Sequence, residues 1–336
     1  MTVPTAVIGA GAWGTALAWL LAGNGSPTRL WAYEPEVADQ INRERENRRY
    51  LPGVALPGTL KASASLAEVL EGAGALILVV PSHVAAGVIA QIAPHLPSGI
   101  PIVSATKGLE EKRGRSMSTL LEELLPIPPG SVLALSGPSF ATEVCRGLPT
   151  AIVLAGGSET QAFLLQRLLM TPVFRMYLAA DRLGVELGGA LKNVIAVAAG
   201  IVDGLGFGHN TRAALITRGL AEMVRLGRAM GADPRTFAGL SGMGDLVLTC
   251  TGGLSRNRAV GIQLAEGKTL AAIIAGSYTV AEGVNTARVA LSLAERYQVE
   301  MPIVREVCAV LFGGKQPVRA VSELMERAAR HELDQA

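Results

Sequence analysis

The sequence predicts two parts of different construction: an α/β part with a parallel-rich sheet over residues 1–180, then an all-α part over residues 181–336. Three observations predict it. Short apolar runs alternate with longer helical patterns in the first half, the signature of strand-helix repeats. A glycine motif, Gly9-Ala10-Gly11-Ala12-Trp13-Gly14, follows the first apolar run directly. Beyond about residue 180 the β-branched runs disappear and long helical periodicities replace them.

Taken in order, the strand candidates are Thr5 to Ile8, Thr28 to Tyr33, Leu76 to Val80, Ile102 to Ser104, Val132 to Leu135 and Thr150 to Leu154. Each is short, apolar and bounded by breakers. Helices are expected between them at Gly14 to Gly23, Glu36 to Glu46, Ser65 to Leu70, Val84 to Ala93 and Ser116 to Leu125. Connections fall at Asn24-Gly25-Ser26-Pro27, Leu51-Pro52-Gly53 and Pro126 to Gly130, where glycine, proline and asparagine favour turns. In the second half Leu183, Leu187, Leu191, Val194 and Ala198 recur at helical spacing. Leu215, Gly219, Met223 and Met230 do the same in a segment opened by Asn210 and closed by Gly231.

Composition excludes several classes. Glycine makes up 39 of 336 residues without a three-residue period, and the hydrophobic fraction is 49%, so collagen-like and disordered chains are out. Thirty Lys and Arg against 28 Asp and Glu leave a formal charge of +2, which gives no reason to expect nucleic acid as a partner. Cys145, Cys250 and Cys308 are dispersed, with no zinc-type spacing, and read as reduced thiols; no metal site is expected. No basic region and apolar core precede the first strand, and the longest apolar runs are interrupted by Pro81 and His83 or by Lys192 and Asp203. A cytoplasmic protein without membrane insertion is the expectation.

The glycine motif carries the sharpest chemistry. Gly9 suits a tight turn, Gly11 a close approach of backbone to a pyrophosphate, and Gly14 packing of helix on strand. The helix start beyond it offers amide donors and a positive dipole. A dinucleotide cofactor and a Rossmann-type fold are therefore expected, with Glu34 near the end of the second strand placed to accept from a ribose hydroxyl. Arg43, Arg45, Arg48 and Arg49 follow closely and equally suit a 2′-phosphate, or form a solvated helix face, the better reading for any one of them, so the choice between NAD(H) and NADP(H) is open.

Lys192 lies in Gly189-Ala190-Leu191-Lys192-Asn193-Val194-Ile195. Gly188, Gly189, Ala196 and Ala199 share its helix face and are expected to leave room for a ligand and to exclude water. Removing water favours the neutral amine and makes the lysine a candidate acid or base; the alternative is a lysine reaching from an apolar helix to the surface. Ser241-Gly242-Met243-Gly244-Asp245 suggests a loop projecting a carboxylate. Ser255-Arg256-Asn257-Arg258 opens a helical pattern and suits a phosphate, or is simply a capped helix with an exposed arginine. Lys107 in Ala105-Thr106-Lys107-Gly108, and the loop Ser136-Gly137-Pro138-Ser139-Phe140, each close a strand and are expected to face the same cleft. Pro81-Ser82-His83 follows a strand at the sheet's carboxyl edge, where ligands bind, or His83 simply caps the next helix, and His209 reads as loop chemistry without a catalytic role.

With these residues in view the sequence closely resembles the bacterial NAD(P)-dependent sn-glycerol-3-phosphate dehydrogenase family. The likeness runs through GAGAWGTALA, VVPSH, SATKGLE, SGPSFATE, LGGALKNVIA, GFGHNTRAALITRGLAEM, GMGDLVLTCTGGLSRNR and VAEG. The resemblance implies that Lys192 accepts the proton in glycerol 3-phosphate oxidation, with Asp245 beside it. It implies substrate contacts at Lys107, Gly137, Ser139, Asp245, Ser255, Arg256 and Asn257. Cofactor contacts are implied at Ala12, Trp13, Tyr33, Lys107, Ala141, Arg256, Val280 and Glu282. It also implies a homodimer and a supply of glycerol 3-phosphate for phospholipid synthesis. The chain departs from the family's common pattern at Ala12, often serine, and at Tyr33, often histidine or arginine. A related two-domain hydroxyacid or phosphogluconate-type dehydrogenase is the runner-up, and a non-catalytic redox-sensing module a reading of another class.

Overall fold

The computed structural model describes residues 3–276, 281–328 and 331–332. Its first part runs β1 (Thr5–Ile8), α1 (Ala12–Gly23), β2 (Thr28–Trp31), α2 (Pro35–Glu44), β3 (Leu60–Ser63), α3 (Leu66–Leu70), β4 (Ala75–Leu78) and α4 (Ser82–Ile92). It continues through β5 (Ile102–Ser104), α5 (Met117–Leu124), β6 (Val132–Ser136), α6 (Ala141–Cys145), β7 (Thr150–Gly156), α7 (Glu159–Leu169) and β8 (Phe174–Ala179). The eight strands form one sheet in the order β3-β2-β1-β4-β5-β6-β7-β8. Every pair is parallel except β6 with β7.

Alternating residues of each strand enter opposite cores, which is why the central strands read as unbroken apolar runs. Val7, Leu30, Ile77, Val103 and Leu133 face one core. Ala6, Ile8, Trp31, Leu76, Leu78, Ile102 and Val132 face the other. All six predicted strands are present, with ends shifted by up to two residues. The sequence reading missed β3 and β8, at the two edges, and helices α6 and α7.

From residue 182 every named element among the described residues is helical: α8 (Arg182–Gly204), α9 (His209–Ala229), α10 (Pro234–Phe237), α11 (Asp245–Thr251), α12 (Arg256–Ala265), α13 (Leu270–Ala275), α14 (Glu282–Arg296), α15 (Pro302–Phe312) and α16 (Pro317–Met325). A wide π-helical turn, Leu240–Gly244, runs straight into α11. Helix α8 is the axis of this part, with its residues from Gly184 to Val202 all buried. Contrary to the reading from interrupted apolar runs, it is long and apolar enough to cross a membrane, with mean hydropathy 1.6, yet that stretch lies wholly inside the protein.

Helix α12 crosses α8 at glycines on both sides. A Cβ on Gly200 would lie 2.0 Å from the Arg258 carbonyl oxygen, and one on Gly261 2.0 Å from that of Val197. Backbone therefore meets backbone, and the start of α12 is brought to the middle of α8, beside Lys192.

The glycine loop gives a first prediction. Gly9 has φ of +122°, in the region that favours glycine, and a Cβ on Gly14 would lie 1.9 Å from the Gly9 carbonyl oxygen. A Cβ on Gly11 meets nothing within 4 Å. Gly14→Ala is expected to lower stability by about 1–3 kcal/mol, as overpacking does, and to abolish tight dinucleotide binding. Gly11→Ala is expected to melt like the parent but to bind NADH more weakly. Thermal unfolding with a fluorescence titration checks both, and a Gly14→Ala protein that binds normally would overturn the assignment.

Candidate functional site

The carboxyl ends of the parallel strands face the helical part across a cleft of about 710 Å³. Open α/β sheets bind ligands at that edge. The cleft is lined by Gly9, Gly11, Ala12, Trp13 and Gly14, by Tyr33, Lys107, Ser139 and Ala141, and by Lys192, Asp245, Ser255, Arg256, Asn257 and Glu282. One substitution of order is found: Gly137 is not in that lining, and its carbonyl instead accepts from Lys107 Nζ at 2.7 Å. Val280 lies outside the described residues.

Lys192, 5% exposed, places Nζ 3.0 Å from Asp245 Oδ1 and donates to Thr249 Oγ1 at 2.7 Å. The other oxygen of Asp245 takes Lys107 Nζ at 2.9 Å. One buried carboxylate thus holds two ammonium groups, one from the sheet edge and one from α8. Burial lowers the Lys192 pKa to about 8; Asp245 opposes that shift and the second ammonium at Lys107 adds to it. The amine therefore titrates close to neutral pH, as an acid-base group must.

Three expectations about this region are corrected. Gly188 and Gly189 do not make room for a ligand, because a Cβ there would lie 2.6 Å from the Ser241 carbonyl oxygen and 2.4 Å from Ser136 Oγ respectively. They admit neighbouring protein chain, and it is this packing that dries the lysine. Asp245 is not on a projecting loop but is the first residue of α11, which puts Thr249 one turn on, at i+4. Of the two readings of His83 the cap fails, since Pro81 holds that position, while the edge reading agrees with its place in the first turn of α4, lining the cleft.

Ser255 is the N-cap of α12, its hydroxyl accepting from the Arg258 amide at 3.2 Å. Arg256 is exposed into the cleft and, among the described residues, has no hydrogen-bond or ion-pair partner. A free guanidinium on a helix start is a ready anion site. The side chain of Asn257 is committed elsewhere: Nδ2 donates to Asn193 Oδ1 at 2.8 Å, and Oδ1 accepts from the Gly283 amide at 2.9 Å. Asn193 in turn donates to the Lys107 carbonyl at 3.1 Å, so this chain of amides ties α8, α12 and α14 to the sheet edge. Glu282 accepts from the Ser82 amide at 2.9 Å and hydroxyl at 2.6 Å at the start of α4, and burial raises its pKa.

A dinucleotide fits the other end. Gly11 is the N-cap of α1 and no side chain caps that helix, which leaves its first amides for a pyrophosphate. The Trp13 indole N–H beside them is buried without an acceptor among the described residues. Sequence reasoning missed Thr249, Asn193 and Tyr50. The i+4 spacing from Asp245 marks Thr249; Tyr50, which donates to Glu34 at 2.7 Å across 16 residues, carries no local signal. His209 pairs with Arg212 at 2.7 Å and does not line the cleft.

Known proteins resemble this chain along its length. The family model for the NAD-dependent glycerol-3-phosphate dehydrogenase N-terminus matches residues 4–162, and that for the C-terminus matches residues 181–322. A Citrifermentans bemidjiense protein named glycerol-3-phosphate dehydrogenase (NAD(P)+) is 53% identical over 333 residues, 99% of each chain. A Geobacter sulfurreducens protein of the same name is 54% identical over 327 residues, 97% of this chain and 98% of the other. The crystal structure of glycerol-3-phosphate dehydrogenase from Coxiella burnetii has a TM-score of 0.93 at 42% identity, covering 97% of this chain and 99% of that one. With both halves matched and half the residues shared with these relatives, the chain belongs to the NAD-dependent glycerol-3-phosphate dehydrogenase family.

Proposed function

We propose that the protein is an NAD(P)-dependent glycerol-3-phosphate dehydrogenase that interconverts dihydroxyacetone phosphate and sn-glycerol 3-phosphate. One observation carries the reading: a buried amine with a pKa near 8 and an unpartnered arginine on a helix start line one cleft with a dinucleotide loop. In this reading residues 1–180 bind the dinucleotide and residues 181–336 bind the substrate and carry the acid-base group.

When bound, the nicotinamide supplies or accepts the hydride at the central substrate carbon. Arg256 and the first amides of α12 hold the phosphate, which offers binding energy remote from the reacting carbon. In reduction, Lys192 as ammonium gives its proton to the carbonyl oxygen, which becomes the secondary hydroxyl. In oxidation, neutral Lys192 takes that hydroxyl proton back. Asp245 orients both lysines, and Lys107 with Ser139 faces the substrate from the sheet edge. Asn257 contributes through its backbone amide, since its side chain is already engaged.

The runner-up dehydrogenases lack support from the relatives' names, and a sensing module has no need of a tuned lysine. The family resemblance further supports a cytoplasmic homodimer supplying glycerophospholipid synthesis, and light scattering tests the dimer. The deciding assay is loss of reduced-cofactor absorbance on adding dihydroxyacetone phosphate. Turnover is expected, and silence with both NADH and NADPH would overturn the reading.

A further inference from the structure

The connection from α2 to β3, residues 45–59, holds a side chain that the proposed reaction leaves unassigned. Asn47 is fully buried there and stands outside the lining of the cleft. Its Nδ2 donates to the Ala10 carbonyl and to Thr15 Oγ1, each at 2.8 Å, and its Oδ1 accepts from the Tyr50 amide at 3.2 Å. Thr15, on α1 and also fully buried, donates to the same Ala10 carbonyl at 3.2 Å. Two side chains from different elements thus converge on one oxygen of the glycine loop. The connection that carries Asn47 is itself anchored. The Leu51 amide donates to the Asn47 carbonyl at 2.8 Å, and Trp19 on α1 donates through Nε1 to the Ala55 carbonyl at 3.2 Å. Leu51, Val54 and Leu56 enter the core that α1 shares through Leu17 and Leu21.

The planarity of one peptide gives this a consequence. In a trans peptide the carbonyl and the N–H point in opposite directions. The Ala10 carbonyl is drawn away from the cleft, toward Asn47 and Thr15, so the N–H of Gly11 at the other end of the same peptide is aimed toward the cleft that Gly11 lines. Torsional preference does not enforce that orientation. Turning the peptide over would carry Gly11 from a φ of −65° to a positive φ, which glycine tolerates, and would present a carbonyl oxygen to an anion.

We propose that Asn47, acting with Thr15, is a positioning residue for the dinucleotide. The pair holds the Ala10–Gly11 peptide so that it offers an N–H, and not a carbonyl oxygen, to the pyrophosphate. This rests on the reading of the cleft as a dinucleotide site. It gives the Leu51-Pro52-Gly53 segment a part in that site, because the turn and Asn47 belong to one anchored connection.

ADP-ribose carries the pyrophosphate and adenosine lacks it, so displacement of bound NADH by each, followed by fluorescence, reads the loop without turnover. Thr15→Val keeps the side-chain volume and removes the hydroxyl, and Asn47→Leu removes the amide. Each is expected to weaken ADP-ribose binding about three- to tenfold, the net worth of a hydrogen bond, and to leave adenosine within about twofold. Thr15→Ser, which keeps the hydroxyl, is expected to recover the wild-type affinity. Unchanged ADP-ribose binding in a folded Thr15→Val protein would overturn the proposal, and so would an equal loss for adenosine, which is the mark of a generally loosened loop. The Thr15 pair of variants decides the matter even where Asn47→Leu fails to fold. A wild-type protein that binds neither NADH nor ADP-ribose would instead strike the dinucleotide reading, and the proposal with it.

Discussion

Lys192→Ala is expected to lower kcat by about 10²–10⁴-fold in both directions, the range a positioned acid-base group contributes. Binding of NADH is expected to stay near wild type, because the glycine loop is untouched. The fold is expected to survive as well: removing the amine takes away one buried cation, and Asp245 keeps Lys107 at 2.9 Å. The wild-type pH profile supplies an independent check. Oxidation of glycerol 3-phosphate needs the neutral amine, so kcat/KM should rise with pH and level off above about 8. Reduction needs the ammonium and should fall above the same point. Stopped-flow turnover across pH measures both; a Lys192→Ala enzyme of undiminished kcat would remove the residue from the chemistry.

Asp245→Asn is expected to be nearly as damaging, by a different route. Its oxygens lie 3.0 and 2.9 Å from two ammonium groups, and the carboxylate is 1% exposed. Taking one partner from a buried charge pair typically costs about 3–5 kcal/mol, because the remaining charge is left without compensation. The system responds by releasing a proton from Lys192, whose pKa is held up at about 8 chiefly by that carboxylate against burial. The oxidation profile should therefore move to lower pH, and reduction at neutral pH should weaken. Thermal unfolding and the pH profile together separate the roles, since a merely structural aspartate would lower the melting temperature without moving the profile.

Much of the site was legible in the sequence because its chemistry is locally encoded. The glycine loop, the small residues around Lys192 and the start of α12 are each defined by neighbours within one helical turn. What escaped reading depends on partners far along the chain. The edge strands β3 and β8 carry mixed polar and apolar residues, LKAS and FRMYLA, since an edge is covered less fully than the centre. The reversal of β7 against β6 is a matter of which way the chain returns, and no residue in Thr150–Gly156 announces it. Gly188 and Gly189 look like space for a ligand in a linear pattern; only the arrival of Ser241 and Ser136 shows that protein fills it.

The glycine crossing of α8 and α12 has a consequence for substrate choice. Lys192 rides on one helix and Arg256 on the other, and the helices touch through backbone at Gly200 and Gly261. The nearest neighbours at both glycines are main-chain atoms, which have no rotamer to change. The separation of the two backbones that carry the proton donor and the anion holder is therefore fixed by main chain, and it sets the scale of the molecule that fits between them. A phosphate ester with an added or missing carbon must therefore be met by the Arg256 and Lys192 side chains alone, because the two backbones that carry them cannot slide closer.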